Sequence, residues 1–357
     1  MRKFTGFILA IMIFTSIELF AVKITATADA GPSSAEQINL NAFVNDLYAT
    51  DLGALGHQKK LARGMGNAVA HAGNSVASFR GYEGYDIFAG MWGLSFAVVI
   101  PPVSDAADDL MAKEKDDAAG IALNQAFNVG INLTNALDIN NLLGLDFLPN
   151  RLYMNIKGSK TSAKGGTFND ADDWKFKMTT FGLGFNYQLV DTGGDRFKVY
   201  KWTGMSIGTG FLYARNKITY DHTSGIYKNS AGDRSFKIDT QYGVDIKTYT
   251  IPLEASTSAR LLWLFNFTAG AGIDFTFGTS KIIKESNSNV YTGISASGAK
   301  VGTIYVDGSS KNSPTYINPK ILGGLGVCLG PIPVDISITY YPVSNGIVFC
   351  TGFGFVW

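Results

Sequence analysis

The sequence predicts an all-β fold, a transmembrane antiparallel β-barrel of about 10 strands (range roughly 8–14) with a helical N-terminal segment. Three observations predict it. The chain opens on an export signal, no later run of about 18 apolar residues could form a spanning helix, and successive segments alternate bulky apolar with small polar residues. Where helices are excluded, a closed barrel is the remaining way to satisfy every backbone polar group in lipid.

The elements follow in chain order. "MRKFTGFILAIMIFTSIELFA" places Arg2 and Lys3 before an apolar run from Phe7 to Phe20, the layout of a secretory signal peptide. Residues 1–30 are assigned to it, with cleavage after Ala21, Ala28 or Ala30. No cysteine lies nearby, which excludes a lipoprotein anchor.

Residues 31–82 read as helical. Leu40, Phe43, Val44, Leu47 and Tyr48 recur at helical spacing behind a cap at Ser33 or Ser34. The run "LARGMGNAVAHAGNSVASF" then supplies small residues suited to close packing. Two placements stay open, a plug inside the barrel over residues 33–75 or a periplasmic helix below it.

Residues 83–357 carry the barrel. In "LLWLFNFTAGAGIDFTFG", Trp263, Phe265, Phe267, Ile273, Phe275 and Phe277 share one face, while Asn266, Thr268, Asp274 and Thr276 share the other. The same alternation occupies 88–100, 124–133, 152–156, 179–189, 205–213, 249–255, 321–329, 334–341 and 347–357. The second face collects Gly, Ser, Thr, Asn and Ala, where a water-soluble sandwich would collect Lys and Glu. Apolar-out and polar-in is the barrel pattern. Trp92, Tyr187, Tyr213, Trp263 and Tyr340 are the expected interface aromatics. Polar stretches at 101–119, 159–173, 219–235 and 279–314 are the expected outer loops, against tight turns at "STSARL" and "GPIP". Further strands near 196–201, 237–246 or 301–306 would raise the count.

Composition agrees. Charged residues are 17% of the chain, below the roughly 25% usual in soluble domains, and aromatics are 13%. A formal charge of +1 and the lack of a basic run give nucleic acid no purchase. The lumen-facing charges are Lys157, Glu254, Asp274 and Asp335, a mixed set that either lines an aqueous path or pairs across a packed interior. His57, His71 and His222 have no partners at metal or catalytic spacing, so neither a metal, a cofactor nor an enzyme activity is expected. Cys328 and Cys350 fall on strands that flank a third, too far apart for a bridge, and are expected as free thiols.

The chain finishes on "GIVFCTGFGFVW", with Phe349, Phe353, Phe355 and Trp357 at alternating positions and Thr351 departing mildly. This segment resembles the C-terminal strand signature of bacterial outer-membrane β-barrel proteins. That resemblance implies recognition by the barrel-assembly machinery, outer-membrane lipid as the surroundings, and residence in the bacterial outer membrane. The small-residue run resembles, over about twenty positions, the luminal hatch of long-chain fatty-acid transporter barrels. Two functions are therefore carried forward. One is a channel or transporter for small or hydrophobic solutes. The other is a surface adhesin that uses loops 101–119 and 279–314 to bind a host ligand.

Overall fold

The computed structural model describes residues 23–29, 55–78, 85, 87–100, 119–137, 152–166, 172–190, 199–228, 234–292 and 298–357. Within them lie thirteen strands and two helices. In order they are β1 (Lys23–Ala28), α1 (Leu55–Ser75), β2 (Phe88–Val99), β3 (Gly120–Asn132), α2 (Leu133–Leu137), β4 (Leu152–Gly166) and β5 (Asp172–Val190). Then come β6 (Tyr200–Lys228), β7 (Arg234–Leu261), β8 (Phe265–Thr292), β9 (Lys300–Asp307), β10 (Ser310–Asn312), β11 (Ile317–Leu329), β12 (Ile332–Tyr341) and β13 (Gly346–Val356).

Ten of these strands close into a ring. Its order is β8-β11-β12-β13-β2-β3-β4-β5-β6-β7, and β7 pairs with β8 to complete it. All the ring pairings are antiparallel. The β13–β2 pair continues to the last residue, where the Trp357 amide donates to the Phe88 carbonyl at 3.0 Å and Ile87 donates to the Trp357 carbonyl at 3.1 Å. Closure matters physically because it leaves no unpaired edge within the belt.

The faces follow the period-2 alternation. Leu123, Phe127 and Val129 of β3 point out, whereas Asn124, Ala126 and Asn128 are buried inside. On β8, Phe267 is 45% exposed while Asp274 and Thr276 are each 1% exposed. A strand of twelve residues such as β2 climbs about 30 Å at ~3.3 Å per residue and ~40° tilt, enough to cross a hydrocarbon core. One prediction arises here. Phe267→Arg should destabilise the barrel by ~2–4 kcal/mol, and Thr268→Arg on the inner wall should cost much less. Urea unfolding in lipid vesicles measures both, and equal losses would refute the face assignment.

Strands β6, β7 and β8 run to 29, 28 and 28 residues, more than twice that span. Their far halves leave the ring as a sheet, extended by β9 on β8 and by β1 on β9, with β10 also on β8. This corrects the expected loops. Segment 279–314 is largely strand, as are the flanks of 159–173 and 219–235. Outside lipid a strand needs no apolar face, only a neighbour for its backbone, so alternation of apolar residues could not reveal it. Stretch 301–306 is likewise strand, but it lies in β9, outside the ring. Residues 101–118 and the expected helix over residues 33–48 lie outside the described residues.

Helix α1 occupies the ring's interior, touching β2, β3, β6, β7, β8, β10 and β13. Glycine lets it sit that close to the wall. A Cβ on Gly120 would overlap the Gly64 carbonyl, and one on Gly93 would lie 2.9 Å from the Ala77 amide. Four glycines in 21 residues, at about 1 kcal/mol each relative to alanine, make a poor isolated helix. Burial on every side from Gly66 to Ala77 compensates for that propensity.

Candidate functional site

The site is the lumen around the C-terminal half of α1. A helix end leaves carbonyls without intrahelical partners, and burying them is tolerable only if something else donates. Four strands do so. Ser95 of β2 donates to the Ala72 carbonyl (2.8 Å), Lys157 of β4 to Asn74 (3.1 Å), Cys350 of β13 to Ser75 (3.1 Å) and Asn128 of β3 to Ala77 (2.8 Å). Lys157 also places its cation at the negative end of the helix dipole. Higher up, Asn67 and Thr315 bond reciprocally at 3.0 and 2.7 Å. His71 stacks on Tyr341 at 3.6 Å, and its Nε2 lies 2.8 Å from the Ser344 hydroxyl.

Beneath the helix is a charge cluster. Lys320 of β11 is fully buried, with Nζ 2.8 Å from Glu254 Oε2 of β7 and 2.8 Å from Asp274 Oδ1 of β8. Asp274 Oδ2 also accepts from Asn74 of α1 (2.8 Å) and from the Tyr341 hydroxyl of β12 (3.0 Å). One carboxylate thus ties the helix to the opposite wall. Of the four expected luminal charges, the structure gathers Glu254 and Asp274 around Lys320, sets Lys157 against the helix end, and leaves Asp335 on a separate stretch of wall. There a Cβ on Gly352 would come within 3.0 Å of Asp335 Oδ1. The set pairs with neighbours within a filled interior.

Lys320, Asn74 and Tyr341 escaped the sequence reading. Lys320 sits one step before the alternation that was counted from Ile321; extending its inward positions (Leu322, Gly326, Cys328) back by two residues finds it. Asn74 and Tyr341 carry no such signal, because their importance lies in partners far away in sequence.

A cavity of about 110 Å³ remains beside the helix end, lined by Asn74, Asn128, Asn155, Lys157, Glu254 and Ser256 among others. Its walls mix these polar groups with Leu183, Phe211, Leu212 and Pro252, and it has room for several waters. Among the described residues, no group of three or more His, Cys, Asp or Glu side chains is placed to hold a metal. Cys328 and Cys350 are buried and form no disulfide.

The expected surface aromatics distribute unevenly. Trp263 occupies the β7–β8 turn with φ near 50°, and the Tyr340 hydroxyl reaches Asn345 in the β12–β13 turn at 3.5 Å. Tyr187 lies opposite Leu152, at the start of β4. Tyr213 packs on Tyr249 at 5.2 Å. Trp92 lies well inside β2 against Phe353, centroids 5.3 Å apart, and so away from the strand ends. Phe349, Phe353, Phe355 and Trp357 share the outward face of the last strand.

Comparisons with known proteins give one family and several distant likenesses. No curated protein matches the chain. Among solved structures it is similar to the translocator domain of autotransporter NalP from Neisseria meningitidis, at 9% identity and a TM-score of 0.32, covering 89% of this chain and 98% of that one. It is similar to a Pseudomonas aeruginosa FadL homologue at 8% identity and a TM-score of 0.24, covering 84% and 98%. The outer membrane protein OprG from Pseudomonas aeruginosa matches at 13% identity and a TM-score of 0.22, covering 77% and 98%. The family model that describes Lsa36-like proteins matches residues 20–357. The chain belongs to the Lsa36-like family.

Proposed function

We propose that the protein is an exported, integral barrel of the bacterial outer membrane that acts as a sealed mount, presenting the sheet above its rim to a ligand outside the cell. The observation that carries this reading is α1, held in the lumen by donors from four strands. A filled lumen suits a mount better than an open pore. Chain direction supports it too. The Lys59 carbonyl, near the start of α1, accepts from Asn312 at the end where the strands overrun the ring, and β1 pairs with β9 at the same end. The start of α1 and β1 therefore both lie at the presented end. The binding surface is then the β6–β9 sheet with residues 101–119, in place of the irregular loop 279–314.

A second reading, passage of small solutes, is favoured by the cavity beside Lys157 and Glu254. Planar-bilayer recording of the full-length protein separates the two. The mount reading expects no steady conductance step, and a reproducible open state would refute it.

Localisation is tested separately. The mature protein should fractionate with outer membrane and keep a compact, SDS-resistant form until heated; recovery in the soluble periplasm would overturn the proposal. If Phe355 and Trp357 belong to the assembly signature, deleting residues 355–357 should abolish surface insertion. Normal surface levels of that variant would remove the assembly machinery from the account.

A further inference from the structure

On the outer face of the ring, four aromatics stand in register across neighbouring strands. Phe181 of β5 lies opposite Tyr213 of β6, which lies opposite Tyr249 of β7, which lies opposite Phe277 of β8. Aromatic rings gather where hydrocarbon gives way to headgroups. The next two outward positions beyond that row, toward the overrunning ends, change character abruptly. They hold Lys160, Lys177, Arg215, Lys217, Lys247 and Lys281, with Asp245 as the single carboxylate.

The arrangement is unfavourable for the sheet alone. Lys177 lies directly opposite Lys217, and Lys247 directly opposite Arg215. Like charges at facing positions destabilise a strand pair. Arg215 is held by Asp245 through two bonds of 3.1 and 2.9 Å, and Lys281 by Glu285 at 2.7 Å. Those carboxylates offset part of the repulsion but leave a clear cationic excess. Cations set just past an aromatic row on a lipid-facing wall meet the depth of phosphate groups, at roughly 1 kcal/mol of attraction apiece.

We propose that this row is a binding surface for anionic, phosphate-bearing lipid headgroups of the leaflet nearest the overrunning strands. The inference rests on the membrane-barrel reading above. The lipids supply the counter-charge that the sheet lacks, and they fix the depth and tilt of the barrel on the β5–β8 side. Because headgroups are replaceable, the surface selects a charge class and not one lipid.

Native mass spectrometry of the full-length protein in neutral detergent tests it, with phosphatidylglycerol and phosphatidylcholine as probes. Phosphatidylglycerol adducts should persist preferentially on the wild type. The preference should drop about fivefold for each lysine replaced in K177Q, K217Q and K247Q and should weaken with added salt. K300Q, on β9 opposite Tyr291 and ten residues along β8 from Lys281, should change nothing. Equal retention of both lipids by the wild type, or an undiminished preference in the triple variant, would overturn the proposal. Displacement of phosphatidylglycerol by inorganic phosphate at matched charge would also overturn it, since the row would then read a free anion.

A further variant separates lipid binding from mere folding. K177E creates an opposite-charge pair with Lys217 and should raise thermal stability in detergent while lowering the lipid preference. Both quantities falling together would mean that Lys177 acts only within the sheet. SDS resistance before heating, measured on every sample, reports the barrel itself, so a lost barrel and a lost lipid surface give different results.

Discussion

Removing residues 33–75 is expected to leave the barrel assembled and to create a steady single-channel conductance step that the full-length protein lacks. The segment includes all of α1, and an α-helix with its side chains is ~10–12 Å across. Its loss opens a path of that width through a wall of Asn, Ser, Thr and Gly. The ring pairings do not pass through α1, so strand closure survives. The donors now facing the helix carbonyls, namely Ser95, Lys157 and Cys350, would face water, which satisfies them at little cost. Planar-bilayer recording reads the change directly. An assembled truncated barrel with unchanged conductance would mean that the helix does not block the path.

Lys320→Met should destabilise the protein by ~3–5 kcal/mol, the cost of leaving buried charges without their partner. Glu254 and Asp274 would remain on the inner wall with no cation between them, each within reach of the place Lys320 held. The loss should be largely reversed in the triple variant Lys320→Met, Glu254→Gln, Asp274→Asn, because the cost comes from unpaired charge and not from missing contacts. Asp274 also receives Asn74 and Tyr341, so the single variant should loosen α1 and give flickering conductance. Urea unfolding of both variants measures the energies. A Lys320→Met loss no larger than that of an exposed lysine would show that the cluster is solvated.

How much of this was legible follows from the range of each interaction. Alternation with a period of two is local, and it identified all ten ring strands and which face each residue takes. The end of each strand was harder to read. Beyond the belt, β6, β7 and β8 are held by backbone pairing and by polar side-chain contacts such as Gln241 with Asp221, and neither produces an alternation of apolar residues. That is why 279–314 read as loop. Charges such as Glu254 and Asp274 could be assigned to the inner face, but nothing in either segment shows that Lys320 stands between them.

By itself, then, the sequence located the strands of the ring, the outward apolar belt, the polar inner wall and the separation of Cys328 from Cys350 by an intervening strand. Each of these depends on residue spacing along one strand or between successive strands. Tertiary structure alone decided that β7 closes on β8, that α1 lies in the lumen with its end capped by four strands, and that Lys320 joins two carboxylates across the wall. It also decided that Lys177 faces Lys217 and Lys247 faces Arg215. The physical reason is the same throughout. These are meetings between residues far apart in the chain, set by barrel closure and register, and neither leaves a local pattern to read.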